Sequence, residues 1–208
     1  MAYIGNFPTS PGFQTVNFKQ NNTTQVTRAQ SGRTIRNQIA TTIWSATLRF
    51  PSMSIEEWRP IQAFISQARG PLNEFDVILP TISESQSINK NLFDGTITVN
   101  SNTAAGATTV NVGSSTATGA INLLKAGDLV RFANHTKVYM CVADINTDDS
   151  AGNFDLLITP PLVEAVVAAE AVETTDVRFR MAIANDTQEF NYRTDGLVDY
   201  EVDVEEVI

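Results

Sequence analysis

The stretch that decides the fold is Trp44-Ser45-Ala46-Thr47-Leu48-Arg49-Phe50. Every second residue in it is apolar, and the residues between are polar or charged. Because successive side chains of a strand point to opposite faces of a sheet, this two-residue period predicts a half-buried β-strand. A chain organised around such a segment is expected to be mainly β.

The segment after this strand predicts one helix. Ser54 can cap its first turn, and Glu57 stands three residues later, which is the spacing of a capping box. Apolar residues then recur at helical spacing as far as the stop signal Gly70-Pro71. We therefore predict a helix at about 54–69, with a kink or restart at Pro60, because proline has no N–H to donate inside a helix.

Strand patterns also precede and follow this unit. Gly12–Lys19 and Thr23–Gln30 lie on either side of the polar cluster Gln20-Asn21-Asn22, which predicts a hairpin. At the far end, Val198–Ile208 alternates apolar and acidic residues, which predicts another half-buried strand.

The composition changes near residue 90 and returns near residue 177. Between these points the chain is rich in Ala, Gly, Thr and Val, and short strand patterns alternate with turns. We predict one β domain made of residues 1–90 with 177–208, and an inserted small β-barrel or sandwich domain at 91–176. Insertion at an exposed loop is a tolerated way to enlarge a domain.

The formal charge of −9 is unevenly distributed over the 208 residues. Residues 1–82 carry a net charge of +3, and residues 83–208 carry −12. This asymmetry predicts either that copies of the chain meet basic to acidic, or that two solvated sheet faces differ in charge.

Two charged groups are candidate assembly surfaces. Arg28, Arg33 and Arg36 surround the Ser31-Gly32 break, and they form either a subunit interface or a solvated loop edge. The alternating C-terminal strand supplies a candidate acidic lumen or interface strand, made of Glu201, Asp203 and Glu205.

Catalytic and metal chemistry has few of the residues it needs. The chain has one His and one Cys, which exclude an internal disulfide framework and a thiolate zinc site. His135 is expected in a turn, and Cys141 is expected as a buried apolar filler. We expect no enzyme, no catalytic residue, no cofactor and no metal site.

One cation motif stays open. Asp144, Asn146 and Asp148 have the spacing that begins a calcium loop, and Asp155 falls at its twelfth position. Asp149 stands where such a loop needs glycine, so a solvated hairpin loop is favoured over a cation site.

Membrane and nucleic-acid binding are not indicated. Met1–Asn6 has no leader pattern, and no uncharged apolar run approaches the roughly 18 residues that span a bilayer. The acidic balance opposes the counterion release that drives DNA binding.

Seven short motifs, in this order along the chain, resemble the distal tail or baseplate-hub proteins of bacteriophages. They are Ser31–Arg36, Trp44–Leu48, Pro51–Ser54, Gln67–Gly70, Leu124–Leu129 with His135–Tyr139, Asn185–Phe190 and Val202–Glu206. The resemblance implies a tail-tube-like β-barrel or split β-sandwich with one flanking α-helix. It also implies a structural subunit without catalysis.

The resemblance further implies where the protein works and what it meets. The chain would form a homo-oligomer, a hexameric ring in the virion tail, after synthesis in the host cytoplasm. The ring would connect the tail tube to the baseplate or tip, contacting other tube and baseplate proteins. DNA would pass through its lumen without specific binding, and no membrane anchor is implied. The alternatives are another tail protein (tube initiator, tube or adaptor) or a host-surface carbohydrate-binding module.

Overall fold

The computed structural model describes residues 1–86, 97–114, 123–146 and 152–208. In these residues the chain is mainly β, with one α-helix, as the sequence predicts. The strands are β1 (Tyr3–Asn6), β2 (Thr15–Asn21), β3 (Thr24–Arg28), β4 (Thr34–Gln38), β5 (Ile43–Arg49), β6 (Met53–Ser54), β7 (Glu74–Ile78), β8 (Ile97–Val99), β9 (Thr109–Ser114), β10 (Leu129–Phe132), β11 (Val138–Cys141), β12 (Asn153–Thr159), β13 (Val172–Glu173), β14 (Arg178–Ile183), β15 (Asn191–Tyr192), β16 (Leu197–Asp199) and β17 (Glu201–Glu206). The helix α1 spans Ile55–Ala68, and a short 3-10 turn follows at Gly70–Leu72.

The described residues divide into two compact units. The first contains Met1–Phe7, Glu74–Met181 and Val207–Ile208, and the second contains Pro8–Asn73 and Ala182–Glu206. The domain boundaries that the composition predicts, near residues 90 and 177, stay a prediction.

The first unit contains the small barrel that the middle of the sequence predicts. Its six strands follow the order β13-β10-β11-β12-β9-β8. The two end strands approach each other, since Thr98 of β8 forms a bridge to Ala171, which directly precedes β13, so the barrel is nearly closed. A closed sheet removes exposed strand edges, which protects the strands from pairing with other chains.

Apolar side chains fill the inside of this barrel. Strand β12 alternates exposed and buried residues, with Phe154, Leu156 and Ile158 pointing inward. Buried side chains from the other five strands meet them, among them Val110, Val112, Val130, Phe132 and Tyr139. The period-2 pattern of the sequence thus decides which face of each strand is buried.

A second group of strands in the first unit is linked by a cluster of Tyr3, Asp76 and Arg180. Strand β7 pairs parallel with β1 and antiparallel with β14. The Arg180 side chain donates to the Asp76 carboxylate at 2.7 Å and lies 4.1 Å over the Tyr3 ring centre. The Tyr3 hydroxyl donates to the same carboxylate at 3.0 Å, so one buried acid connects all three strands.

The second unit is organised around the strand that opened the sequence analysis. Strand β5 pairs antiparallel with β2 and with β17. Trp44, Ala46, Leu48 and Phe50 are buried as the alternation predicts, whereas Arg49 is exposed. Thr47 is also buried, and its hydroxyl donates to Asp203 and accepts from Lys19.

Helix α1 begins and ends where its sequence signals predict. The Ser54 hydroxyl accepts from the Glu57 amide, and the Glu57 carboxylate accepts from the Ser54 amide, which completes the capping box. Arg69 adopts a left-handed conformation with φ 55°, and Gly70 follows with φ 63°. The helix continues through Pro60, so the restart predicted there is wrong, whereas the kink predicted as its alternative stays a prediction. Pro60 has no N–H to donate to the carbonyl four residues earlier. That carbonyl lies in the exposed first turn of the helix, so water can bind it instead.

Candidate assembly surfaces

A two-stranded ribbon extends from the β2–β5 pair. Strands β3 and β4 pair with each other, from Thr24 opposite Gln38 to Arg28 opposite Thr34. The ribbon continues the β2–β5 pairing, which ends at Asn21 opposite Ile43. We call residues 22–40 the arm.

The arm corrects the predicted hairpin of Gly12–Lys19 with Thr23–Gln30. Strand β2 pairs with β5, and β3 pairs with β4, so the polar cluster at 20–22 is not the turn. The turn lies near Gly32, whose φ of 82° suits glycine and whose amide donates to the Ala29 carbonyl. Residues 22–23 interrupt the ladder instead.

Both faces of the arm are uncovered. Every residue from 22 to 40 is exposed except Ala29, which is half-buried. Three of these exposed side chains are large and apolar: Val26 is 60% exposed, Ile35 54% and Ile39 62%. An isolated two-stranded ribbon is only marginally stable in water. Strands β3 and β4 are exposed throughout, so side-chain burial adds little to the stability of the arm.

The three predicted interface arginines all lie on the arm. Arg28 and Arg36 share one face, because Arg36 is opposite Val26 and Arg28 follows two residues later. Arg33 lies at the base of the turn, on the other face. Within the described residues none of these guanidinium groups forms an ion pair. The structure therefore brings them onto one element, while their role stays a prediction.

The predicted acidic strand is β17. Glu201, Asp203 and Glu205 are exposed, and they alternate with buried Val202 and Val204. Asp203 accepts from the Thr47 hydroxyl at 2.6 Å. Glu201 and Glu205 have no hydrogen bond or ion pair from their carboxylates in the part of the chain that the structure describes. Their role as a lumen or an interface likewise stays a prediction.

Neighbouring strands add cations that the linear sequence does not place. On the same sheet face, Arg49 lies opposite Glu201, and Lys19 lies opposite Ser45 beside Glu205. The Lys19 ammonium donates to the Thr47 hydroxyl at 3.0 Å. The face is therefore mixed rather than purely acidic, and only strand pairing could reveal this.

A polar groove of about 420 Å³ lies at one end of the same face. Arg49 and Arg193 line it together with Asp199 and Glu201, so its ionic side chains are balanced in charge. Arg193 is paired with Asp195 at 2.8 Å. This groove holds no His or Cys that could act as a base or nucleophile.

The outer face of the barrel carries a ladder of amide side chains. The Asn100 amide donates to Asn111 at 2.9 Å and to Asn153 at 3.0 Å, and Asn111 donates to Asp155 at 2.7 Å. Gly113 lies between them, where an added Cβ would stand 2.7 Å from the side-chain oxygens of Asn100 and Asn153. The ladder is thus an array of donors and acceptors that hydrogen bonds hold in place.

His135 is held in a local hydrogen-bond chain. Its Nε2 lies 2.8 Å from the Tyr139 hydroxyl, which also accepts from the Val163 amide at 3.0 Å. The side-chain oxygen of Asn134 can only accept, so Nδ1 carries the proton and donates to it, and in the neutral ring Nε2 accepts from the Tyr139 hydroxyl. Burial lowers the pKa of His135, which favours this neutral form. The residue lies in the turn between β10 and β11, as expected.

The described residues contain no cluster of three or more His, Cys, Asp or Glu side chains that could hold a metal ion. In the open cation motif, the Asp144 carboxylate accepts from the Ala126 amide at 2.9 Å, and Asp148 lies outside the described residues. Of the helices described, none is long and apolar enough to cross a membrane.

Cys141 is buried in strand β11, and burial raises the pKa of its thiol to about 12. We expect the native protein not to react with a disulfide reagent such as DTNB at pH 8, because about one thiol in 10⁴ is then ionised. Protein unfolded in guanidinium should react fully within minutes. Equal rates for native and unfolded protein, followed by absorbance, would contradict the buried position.

A comparison with known protein families finds a match to the part of the chain that contains the arm. Residues 5–82 match the family described as "Distal tail protein pb9, A domain, N-terminal". The matched residues include β2 to β7 and the helix. No curated protein matches the chain significantly. The match confirms the resemblance to bacteriophage distal tail proteins that the sequence motifs predict.

Proposed function

We propose that this chain, which shares its segment 5–82 with bacteriophage distal tail proteins, forms a ring at the distal end of the tail tube. The ring connects the tube to the baseplate or tip, and it is a homo-oligomer, a hexamer. Its role is structural and requires no catalysis. The observation that carries this proposal is the arm, which lies inside the matched segment and leaves both its faces uncovered.

A ring subunit needs two different surfaces that fit each other. Contacts in a ring are head-to-tail, so one patch of each copy meets an unlike patch of the next. The arm is basic and projects from the β2–β5 pair, whereas the chain outside it is acidic. This division supports a head-to-tail assembly over a symmetric dimer.

The same charge suits a passage for DNA. The chain outside residues 22–40 carries −12, because the whole chain carries −9 and the arm carries +3. A ring with acidic walls repels phosphate groups, so DNA passes without specific binding.

Immunogold electron microscopy of intact tails tests this position. Antibody raised against the purified chain should label the distal end of the tail tube, at one site per particle. Antibody against the major tube protein serves as the control and should label along the tube. Label along the whole tube would favour a tube protein, and an absence of label from tails would overturn the proposal.

The amide ladder on the barrel favours a second function, saccharide binding to the host surface. Fixed amide and carboxylate groups such as Asn111 and Asp155 can donate to and accept from sugar hydroxyls. A glycan array with the purified chain tests it, with the N111A variant as the control. Binding that the variant loses would support this function, and an array without signal would remove it.

A further inference from the structure

We propose that the arm of one copy docks on the exposed face of strand β17 of a second copy. The face of the arm that carries Arg28 and Arg36 then meets the row that contains Glu201, Asp203 and Glu205. This inference rests on the proposed ring and names its contact.

Something has to cover the arm for it to keep its shape. Strands β3 and β4 contact each other but bury none of their side chains. Val26, on the same face as Arg28 and Arg36, is 60% exposed. Docking that face removes Val26 from water and orders the ribbon at the same time, so the two gains reinforce each other.

Charge identifies the occupant as a second copy. The arm has three arginines and no acidic residue, whereas the remainder of the same chain carries −12. An arm of this kind is attracted to its own chain's surface and is repelled by another arm. Opposite charge fixes partner choice and register more than it fixes affinity.

Spacing identifies β17 within that surface. Residues two apart on one strand, such as Glu201 and Asp203, lie about 6.6–6.8 Å apart. Arg28 and Arg36 are diagonal neighbours across the ribbon, because Arg28 is opposite Thr34. Diagonal neighbours lie about 7–8 Å apart, and their long side chains can diverge to reach Glu201 and Glu205, which are about 13 Å apart on either side of Asp203.

The carboxylates are available for this contact. Glu201 and Glu205 bind nothing else in the described residues, whereas Asp203 is partly used by Thr47. Arg49 lies on β5, which pairs with β17, and Lys19 lies on β2, one strand further from β17. These cations repel a misplaced arm, so they restrict docking to the line of β17.

A charge exchange between the two surfaces tests the contact. The arm variant is R28E/R36E, and the face variant is E201K/E205K, which changes only carboxylates without partners. We expect each variant alone to raise the concentration for half-assembly at least about tenfold, because two ion pairs become two repulsions. The chain that carries all four changes should assemble within about threefold of the wild type.

Controls separate docking from folding and from net charge. The variants R59E and E189K change exposed charges that belong to neither the arm nor β17, and they should assemble like the wild type. Circular dichroism and thermal melting verify that every variant is folded. Assembly is followed by native mass spectrometry across a dilution series.

The outcomes distinguish this contact from the ring itself. If the wild type assembles but the four-change chain is no better than the double variants, the docking site is wrong while the ring stands. Unchanged assembly of R28E/R36E would show that the arm has a different occupant, such as another tail protein, and would also overturn the inference. A wild type that stays monomeric removes the proposed ring.

Discussion

The substitution Trp58→Ala lowers the free energy of unfolding by about 3–5 kcal/mol, the usual cost of removing a large buried aromatic side chain. Trp58 is fully buried on helix α1, and its ring lies 5.3 Å from that of Phe190 and 4.8 Å from that of Tyr200. Its indole N–H also donates to the Tyr192 hydroxyl at 3.1 Å. The substitution therefore opens a cavity and also removes the hydrogen bond to the Tyr192 hydroxyl. Denaturant unfolding of the purified chain measures the change.

Ile55→Ala on the same helix is the matched control. Ile55 is 42% exposed, so its loss should cost less than about 1 kcal/mol. Equal effects of the two substitutions would mean that α1 is not packed through the Trp58 side.

The substitution Asp128→Ala has the second large effect, a loss of about 3–5 kcal/mol, because a buried carboxylate with several donors is removed. One oxygen of Asp128 accepts from the Ser85 hydroxyl at 2.6 Å and from the Lys125 amide at 2.9 Å. The other accepts from the Gln86 amide at 2.9 Å. All three donors lose this acceptor in the variant. Chemical unfolding followed by fluorescence measures the loss.

Asp144→Ala is the control for this prediction. Asp144 also accepts from a backbone amide, that of Ala126, but the bond is exposed to solvent. Water can replace it, so we expect a loss of about 1 kcal/mol or less. A loss as large as that of Asp128→Ala would contradict the assignment of Asp128 as the buried connection.

The strands and the helix that are determined by a short stretch of sequence can be predicted from that stretch alone. The alternation at Trp44–Phe50 predicts the buried face of β5, and Ser54 with Glu57 predicts the start of α1. The acidic alternation of β17 is likewise visible in the sequence, because a strand has a fixed period of two.

Pairing between distant strands was not predictable in the same way. The turn near Gly32 moves the hairpin away from the polar cluster at 20–22, since glycine's positive φ matters more than polarity. Which cations stand beside β17 depends on the register of β5 and β2. The amide ladder joins residues that are up to 53 positions apart, so no local signal reveals it.

The net positive charge of the first part of the sequence is located on the arm. The +3 of residues 1–82 is carried by an uncovered ribbon rather than by a sheet face, and the arm alone accounts for it. That form favours contact between copies over two solvated faces, which the linear charge count left open.

The mass of the purified wild-type chain in solution tests the central claim most directly. Native mass spectrometry at micromolar concentration should give six times the chain's 22.7 kDa, and high salt should weaken the assembly because its contacts are ionic. A single 22.7 kDa species at every concentration and salt level would contradict the account.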